Sequence, residues 1–188
     1  MKNETLEDVF VDQLKDLHSA ESQLIRSMPA MAKMCQAPEL VQCLEEHLAV
    51  TERQRERLDQ ISEMLGVKLT GKGCKAMKGL LEEGREAKEE FGKGPVRDAM
   101  VVAAAQRIEH YEIAAYGTAR AMAQALGRDE LVKLLDETLQ EEGEADKLLT
   151  KVVYDAVYPR IRAAEEMEEG DGRQGKKQSK KKENAVAG

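Results

Sequence analysis

The amino-acid sequence predicts an all-α protein: a four-helix bundle with one long crossover, between the second and third long helices, that carries an extra short helix. Three observations lead there. Aromatic residues make up 3% of the chain and Trp is absent, while Ala, Leu, Glu and Lys dominate and prolines number four, the makeup of helices packed through aliphatic side chains. Apolar residues recur at helical spacing through four long segments. Two short turns and one connection of roughly 30 residues separate those segments, the connectivity of a bundle with a single crossover.

Helix α1 begins near Thr5, a capping residue followed by Glu7 and Asp8, where acids interact favourably with the helix dipole. Its stripe is Phe10, Leu14, Leu17, Leu24, Met28 and Met31, and Pro29 removes one backbone donor without ending it. The turn falls near Gln36 and Ala37. Helix α2 opens on Pro38 and runs to about Gly66, with Leu40, Leu44, Leu58, Ile61 and Leu65 on one face. The segment Thr70-Gly-Lys-Gly-Cys74 leads to the short helix α3, around Lys75–Phe91, inside the crossover. Gly92 and Gly94-Pro95 mark the next boundary, α4 runs from about Pro95 to Leu126, and Gly127 follows it as the capping glycine. Helix α5 starts near Asp129 and reaches at least Tyr158, where Pro159 is expected to bend or break it.

The 188 residues form one domain over 1–169, followed by a basic tail over 170–188 that has too few apolar residues to offset the entropy of ordering it. From Gly170 onward six basic residues face two acidic ones, a charge of +4, which leaves 23 basic and 34 acidic residues, or −11, for the domain. A solubilising role for the tail is favoured over contact with nucleic acid, because no aromatic residue interleaves its lysines. No apolar run is long enough to span a membrane and the N-terminus lacks the pattern of a signal peptide, so the expectation is a soluble, intracellular protein. Cys35, Cys43 and Cys74 contain no Cys-x-x-Cys pair, which argues against a disulfide framework or a thiolate zinc site. They are expected to be buried small apolar groups or, for Cys74 in its loop, an accessible thiol.

The informative feature is a set of acids on the inward stripes. Helix α4 places Val101, Ala105, Ile108, Glu112, Tyr116 and Ala119 on one face with Glu109 at its edge; α5 places Glu142 between Leu135 and Leu149 with Asp146 beside it; α1 places Glu21 between Leu17 and Leu24. Antiparallel counting from the two turns brings all five to one level of the bundle. Each ionised carboxylate withdrawn from water costs on the order of several kcal/mol unless paired, against roughly 5–15 kcal/mol for a whole domain. Arg26, Arg107, Lys133, Lys147 and Lys151 phase outward, and Arg55 and Arg120 reach the stripe edges alone. Shared protons are one compensation. A pair of cations favouring oxygen ligands is the other.

The stretches Ser19-Ala-Glu-Ser-Gln-Leu24, Cys74-Lys-Ala-Met-Lys-Gly-Leu-Leu-Glu-Glu-Gly84, Ala103 to Thr118 with its Glu109-His-Tyr-Glu112 core, and Leu134 to Glu142 with Asp146 and Leu148 resemble the YciE/YciF-type ferritin-like stress proteins of bacteria, over roughly residues 4–158. The resemblance implies a ferritin-like bundle, a homodimer, a cytoplasmic location, a link to stress response and a di-metal site. Carried over by position, the ligands are Glu21 from α1, Glu109 and Glu112 from α4, and Glu142 with Asp146 from α5. Helix α2 departs from the pattern: His47-Leu-Ala-Val-Thr51 stands where such proteins often have His-Leu-Glu-Glu-Thr, so two acids are missing. On α2, His47 is read as a core histidine bonded to a neighbouring acid, and Thr51 and Gln54 as donors to the ligands. Tyr116, one turn from Glu112, is a core aromatic or a donor to a carboxylate. His18 and His110 phase away from the stripes and are expected to be exposed.

Two functions are compatible with these residues. One is a cytoplasmic stress-response protein that binds iron or manganese, two ions at most, and acts on peroxide, dioxygen or iron as a ferroxidase, peroxidase or catalase-like oxidoreductase. The other is a non-enzymatic, dimeric stress or structural protein that keeps the fold with a degenerate or empty site. Neither involves a membrane.

Overall fold

The computed structural model of the chain describes residues 5–167, and the proposed tail over 170–188 lies outside them. Five helices account for the described chain: α1 (Leu6–Ala32), α2 (Pro38–Leu65), α3 (Lys75–Glu90), α4 (Pro95–Ala125) and α5 (Asp129–Val152). Among the described residues there is no strand. Helices α1/α2 and α4/α5 form two antiparallel hairpins, which meet along an α1/α4 seam and an α2/α5 seam. This is the expected bundle.

Each helix end has a local cause. At the start of α1, Thr5 Oγ1 accepts from the Asp8 N–H and Asp8 accepts in return from the Thr5 N–H, both at 3.1 Å. Helix α1 passes through Pro29 and stops at Ala32. Gly66 and Gly127 follow α2 and α4 with φ of 65° and 68°, the left-handed conformation that a side chain would strain. The α1/α2 turn is held from outside the hairpin: Asp98 of α4 is fully buried and accepts from the N–H groups of Gln36 at 2.9 Å and Ala37 at 2.7 Å. One carboxylate thus supplies the acceptors that the N-terminus of α2 lacks, since Ala37 offers none.

Helix α3 packs over the α1/α4 seam. Ser19 accepts from the Cys74 N–H at 2.9 Å and Gln23 donates to its carbonyl at 3.0 Å, fixing the start of α3 on α1. Arg97 donates to the Phe91 carbonyl at the other end of α3. Cys74 departs from the accessible thiol expected of a loop residue: it is 2% exposed, caps α3, and lies 3.0 Å from the Tyr111 hydroxyl, which donates to Asp16 at 2.7 Å. A residue in a connecting segment is buried here because the segment itself is pressed onto the bundle.

Pro159 does not break α5. Residues Val153–Val157 form a π-helical turn, with the Tyr158 N–H bonded to the Val153 carbonyl, and the chain stays helical to residue 167. Widening the turn ahead of a proline relieves the contact between its ring and the carbonyl four residues back.

The core is divided. One apolar cluster contains Leu24, Met28, Leu40, Leu44, Ile108 and Leu149; a second contains Phe10, Leu14, Leu17, Leu58, Tyr116 and Leu135. On every long helix the residue between the two clusters is polar: Glu21, Thr51 with Gln54, Glu109 with Glu112, and Glu142, all buried.

Replacing Asp98 by Ala is expected to cost about 2–4 kcal/mol, because the buried N–H of Ala37 and the partly buried N–H of Gln36 lose a charged acceptor. Thermal and denaturant unfolding would measure this, and a loss below about 0.5 kcal/mol would mean that the clasp contributes nothing.

Candidate metal centre

The polar layer is assembled by phase and level alone. Glu21, Glu112 and Glu142 are completely buried and Glu109 is 2% exposed. A nitrogen of His47, an oxygen of Glu109 and an oxygen of Glu142 lie within 4.8 Å of one another, a grouping that can hold a metal ion. His47 Nε2 is 3.3 Å from Glu109 Oε1. Five carboxylate oxygens in the layer have no hydrogen-bond partner: Glu21 Oε2, Glu109 Oε2, both oxygens of Glu112, and Glu142 Oε2.

The partners that do exist are few. Tyr116 donates its hydroxyl to Glu21, and Gln54 donates to Glu142 and, at 3.2 Å, to Glu141. Tyr116 therefore takes the donor role and not only that of a core aromatic. Thr51 is buried but donates to the His47 carbonyl one turn back, at 3.0 Å, so its hydroxyl is spent on its own helix. Asp146 is half-buried at the rim, where it accepts from Gln106 at 3.0 Å and lies 3.5 Å from His110. It stands outside the grouping of His47, Glu109 and Glu142.

His110 is exposed, as its phase predicts, whereas His18 is not: it is 6% exposed and lies 3.4 Å from Asp59 of α2. Helix α1 contacts α2, α3 and α4, so its buried arc is wider than the apolar stripe alone indicates. The sequence also gave no sign that Arg57 would bridge to α5, where it donates to both oxygens of Glu141 and to Glu137. A phase count locates such a pair only once the crossing of the helices is known.

Burial dominates the electrostatics. It pushes Glu21 up to about 8, with the Glu142 charge adding to the shift and the Tyr116 hydrogen bond opposing it. Burial likewise raises Glu109 to about 7, and holds Glu112 and Glu142 well above the usual carboxylate range. For Glu112 the further causes are the charges of Glu21, Glu142 and Glu109. For Glu142 the further causes include the neighbouring Glu109 carboxyl and its charge. Without a cation, the layer retains protons that exposed carboxylates release.

Residues 5–183 match the family model described as "Domain of unknown function (DUF892)". Protein YciF of Escherichia coli (strain K12) is 44% identical over 158 residues, which are 84% of this chain and 95% of that protein. The crystal structure of the E. coli stress protein YciF superimposes with a TM-score of 0.78, covering 81% of this chain and 96% of that one. YcfI from Rhodopseudomonas palustris, at 41% identity, gives 0.77 over 79% of this chain and 95% of that one. A protein from Xanthomonas campestris shares the fold at 21% identity, with a TM-score of 0.66 over 88% and 99% of the two chains.

The raised carboxyls set a pH dependence with a definite sign. Glu21 and Glu109 keep their protons in the folded chain up to about 8 and about 7, whereas the unfolded chain releases them in the usual range. The folded state thus binds more protons, and the stability this provides is present at low pH and lost as pH rises through those values. Burial lowers His18, which acts in the opposite direction but at or below the ordinary histidine value of 6.5. The melting temperature of the metal-free chain is therefore expected to fall between about pH 7 and about pH 8.5. Glu112→Gln should stabilise the metal-free chain by about 1–3 kcal/mol at the upper end of that window. A melting temperature that rises with pH there would contradict the assignment.

Proposed function

The chain belongs to the family described as domain of unknown function DUF892, and on that premise we propose that it is a stress-response protein whose bundle core holds iron or manganese. The observation that supports this reading is the set of five buried carboxylate oxygens without partners, facing one another across a layer that also contains one imidazole. Oxygen donors with a single nitrogen suit iron and manganese better than thiolate-loving metals. The donors present fit such a cation.

His47, Glu109 and Glu142 would hold the first ion, and Glu21 and Glu112 a second, more weakly held one, because α2 contributes no carboxylate on that side. His47 is thereby promoted from a bonded core residue to a ligand. Asp146 would stand behind the ligands, and Gln54 and Tyr116 would orient Glu142 and Glu21 by the hydrogen bonds that they already make. Bound iron or manganese would supply one-electron chemistry toward peroxide or dioxygen. The chain's own contribution is to exclude bulk water, keep the carboxyls ready to exchange protons for cations, and hold Tyr116 against Glu21. A cytoplasmic homodimer is part of this proposal.

A second reading keeps the fold without turnover. The observation in its favour is that the buried residues α2 presents to the layer, Thr51 and Gln54, include no carboxylate. In that case the acids would remain protonated or hold a structural ion.

Loading the purified chain anaerobically with Fe(II) or Mn(II), desalting it, counting metal by mass spectrometry and then following the spectrum on addition of peroxide separates the two readings, since a structural ion would be retained without a peroxide-dependent change. Retention of one to two ions per chain is expected, with most of it lost in Glu109→Ala and in Glu142→Ala and the weaker ion alone lost in Glu21→Ala. Absence of retained metal in the unaltered chain would overturn the metal reading and leave the structural one.

A further inference from the structure

Charge is not spread evenly over this acidic domain. Residues 1–169 carry −11, yet the groove between the C-terminal halves of α1 and α3, a hollow of about 370 Å³, is rimmed by Arg26 on one side and by Arg85 and Lys88 on the other. Its floor contains Met31, Met34 and Leu81, and Glu89 is the acid on its rim. Lys78 joins Arg26 and Arg85 around an adjoining hollow of about 220 Å³. The phase of α3 is the cause: Lys78, Leu81, Arg85 and Lys88 turn toward α1, whereas Glu83 on the other flank meets Arg107 of α4 at 3.4 Å. Among the described residues, no ion pair engages Arg26, Arg85 or Lys88.

The α1/α2 turn, the junction of α3 with α4 and the end of α5 share one end of the bundle, and an unpartnered helix emerges there. Arg160 anchors its root by donating to both oxygens of Glu39, at 2.9 and 3.1 Å, and Ile161 packs against the core. Residues 162–167 are helical and all exposed, so about 9 Å of helix extends past the bundle and lies outside its own groove. At about 100° per residue, Ala163, Ala164 and Met167 form one apolar stripe, with Glu166 on one side of it, Glu165 on the other and Arg162 behind. Met167 is 77% exposed, and Glu168 and Glu169 follow in the sequence.

We propose that this stripe docks in the α1/α3 groove of a second copy of the chain, reciprocally, with Met167 on the floor of Met31, Met34 and Leu81 and with Glu165 and Glu166 facing the cations of the two rims. The inference rests on the homodimer of the reading above and names its surface. An apolar ridge between two acids meets an apolar floor between two basic rims, so seat and occupant match in polarity and in charge. Ala163 and Ala164 let the helix sit low. A two-fold arrangement repeats the contact and closes the assembly at two copies. Each contact is small, so a dissociation constant on the order of micromolar is expected.

The test is sedimentation velocity on the full chain over a concentration series, at low and at high salt. A concentration-dependent dimer is expected, weakened by salt. Met167→Asp should raise its dissociation constant about tenfold or more. Arg26→Glu with Arg85→Glu, and separately Glu165→Lys with Glu166→Lys, should each give a monomer with unchanged helical circular dichroism, because all four side chains are exposed. Mixed one to one, these two variants should dimerise again, since one contact is then native and the other has both charges reversed. A native chain that stays monomeric would overturn this inference and the homodimer, and leave the metal reading to the retention measurement. A dimer indifferent to the variants, or a mixture that stays monomeric, would overturn this inference alone. So would a short DNA duplex bound by the native chain and lost with Arg26→Glu and Arg85→Glu while the dimer persists, which would give the groove to a polyanion.

Discussion

The structure depends on how four fully or nearly fully buried carboxyls are kept at one level of an otherwise aliphatic core. Their placement divides the apolar packing into two clusters that stabilise the bundle independently on either side. Hydrophobic burial above and below the layer offsets the local cost of the layer, because apolar area contributes wherever it is removed from water whereas the penalty of a buried charge is local. The same residues that weaken the middle of the bundle are the ones that give it chemistry. That is the expected location of a conflict between local rules and global stability.

The crossover has a mechanical part in this arrangement. By laying α3 across the α1/α4 seam and fixing its ends through Ser19, Gln23 and Arg97, the chain seals one flank of the layer. The opposite flank is bridged by Gln54 and Arg57 of α2, which donate to Glu142, Glu141 and Glu137 of α5, and a cleft beside them reaches His47 and Glu109. A bundle with four equally closed seams would isolate the acids from any ligand. Asymmetry of the connections therefore decides from which side the layer is reached.

Most of the fold was legible because helix caps and hydrophobic phase are local signals: Thr5, Pro38, Gly66, Pro95 and Gly127 mark boundaries that the helices respect to within a residue. The level of the acids was legible for a related reason, since short turns leave antiparallel neighbours little freedom of register. What phase does not carry is the direction of a side chain at the edge of a stripe. Asp146, beside its stripe, turns to Gln106 at the rim, whereas His47 reaches Glu109 inside as the core histidine that its phase implies. His18 and Cys74 were misplaced because a third element, α3 or the face of α2, covers positions that a two-helix view leaves open.

The lack of a buried acid on α2 has a physical consequence for folding. With no carboxylate from α2 among its buried residues, the layer contains four carboxyls, all raised chiefly by burial, and protons can balance it near neutral pH. Two more acids on α2 would raise the like-charge repulsion that already holds Glu112 well above its usual range. The chain can thus fold around protons, and any cation entering the layer would have to displace them, so that metal affinity and proton release would be linked through the same oxygens.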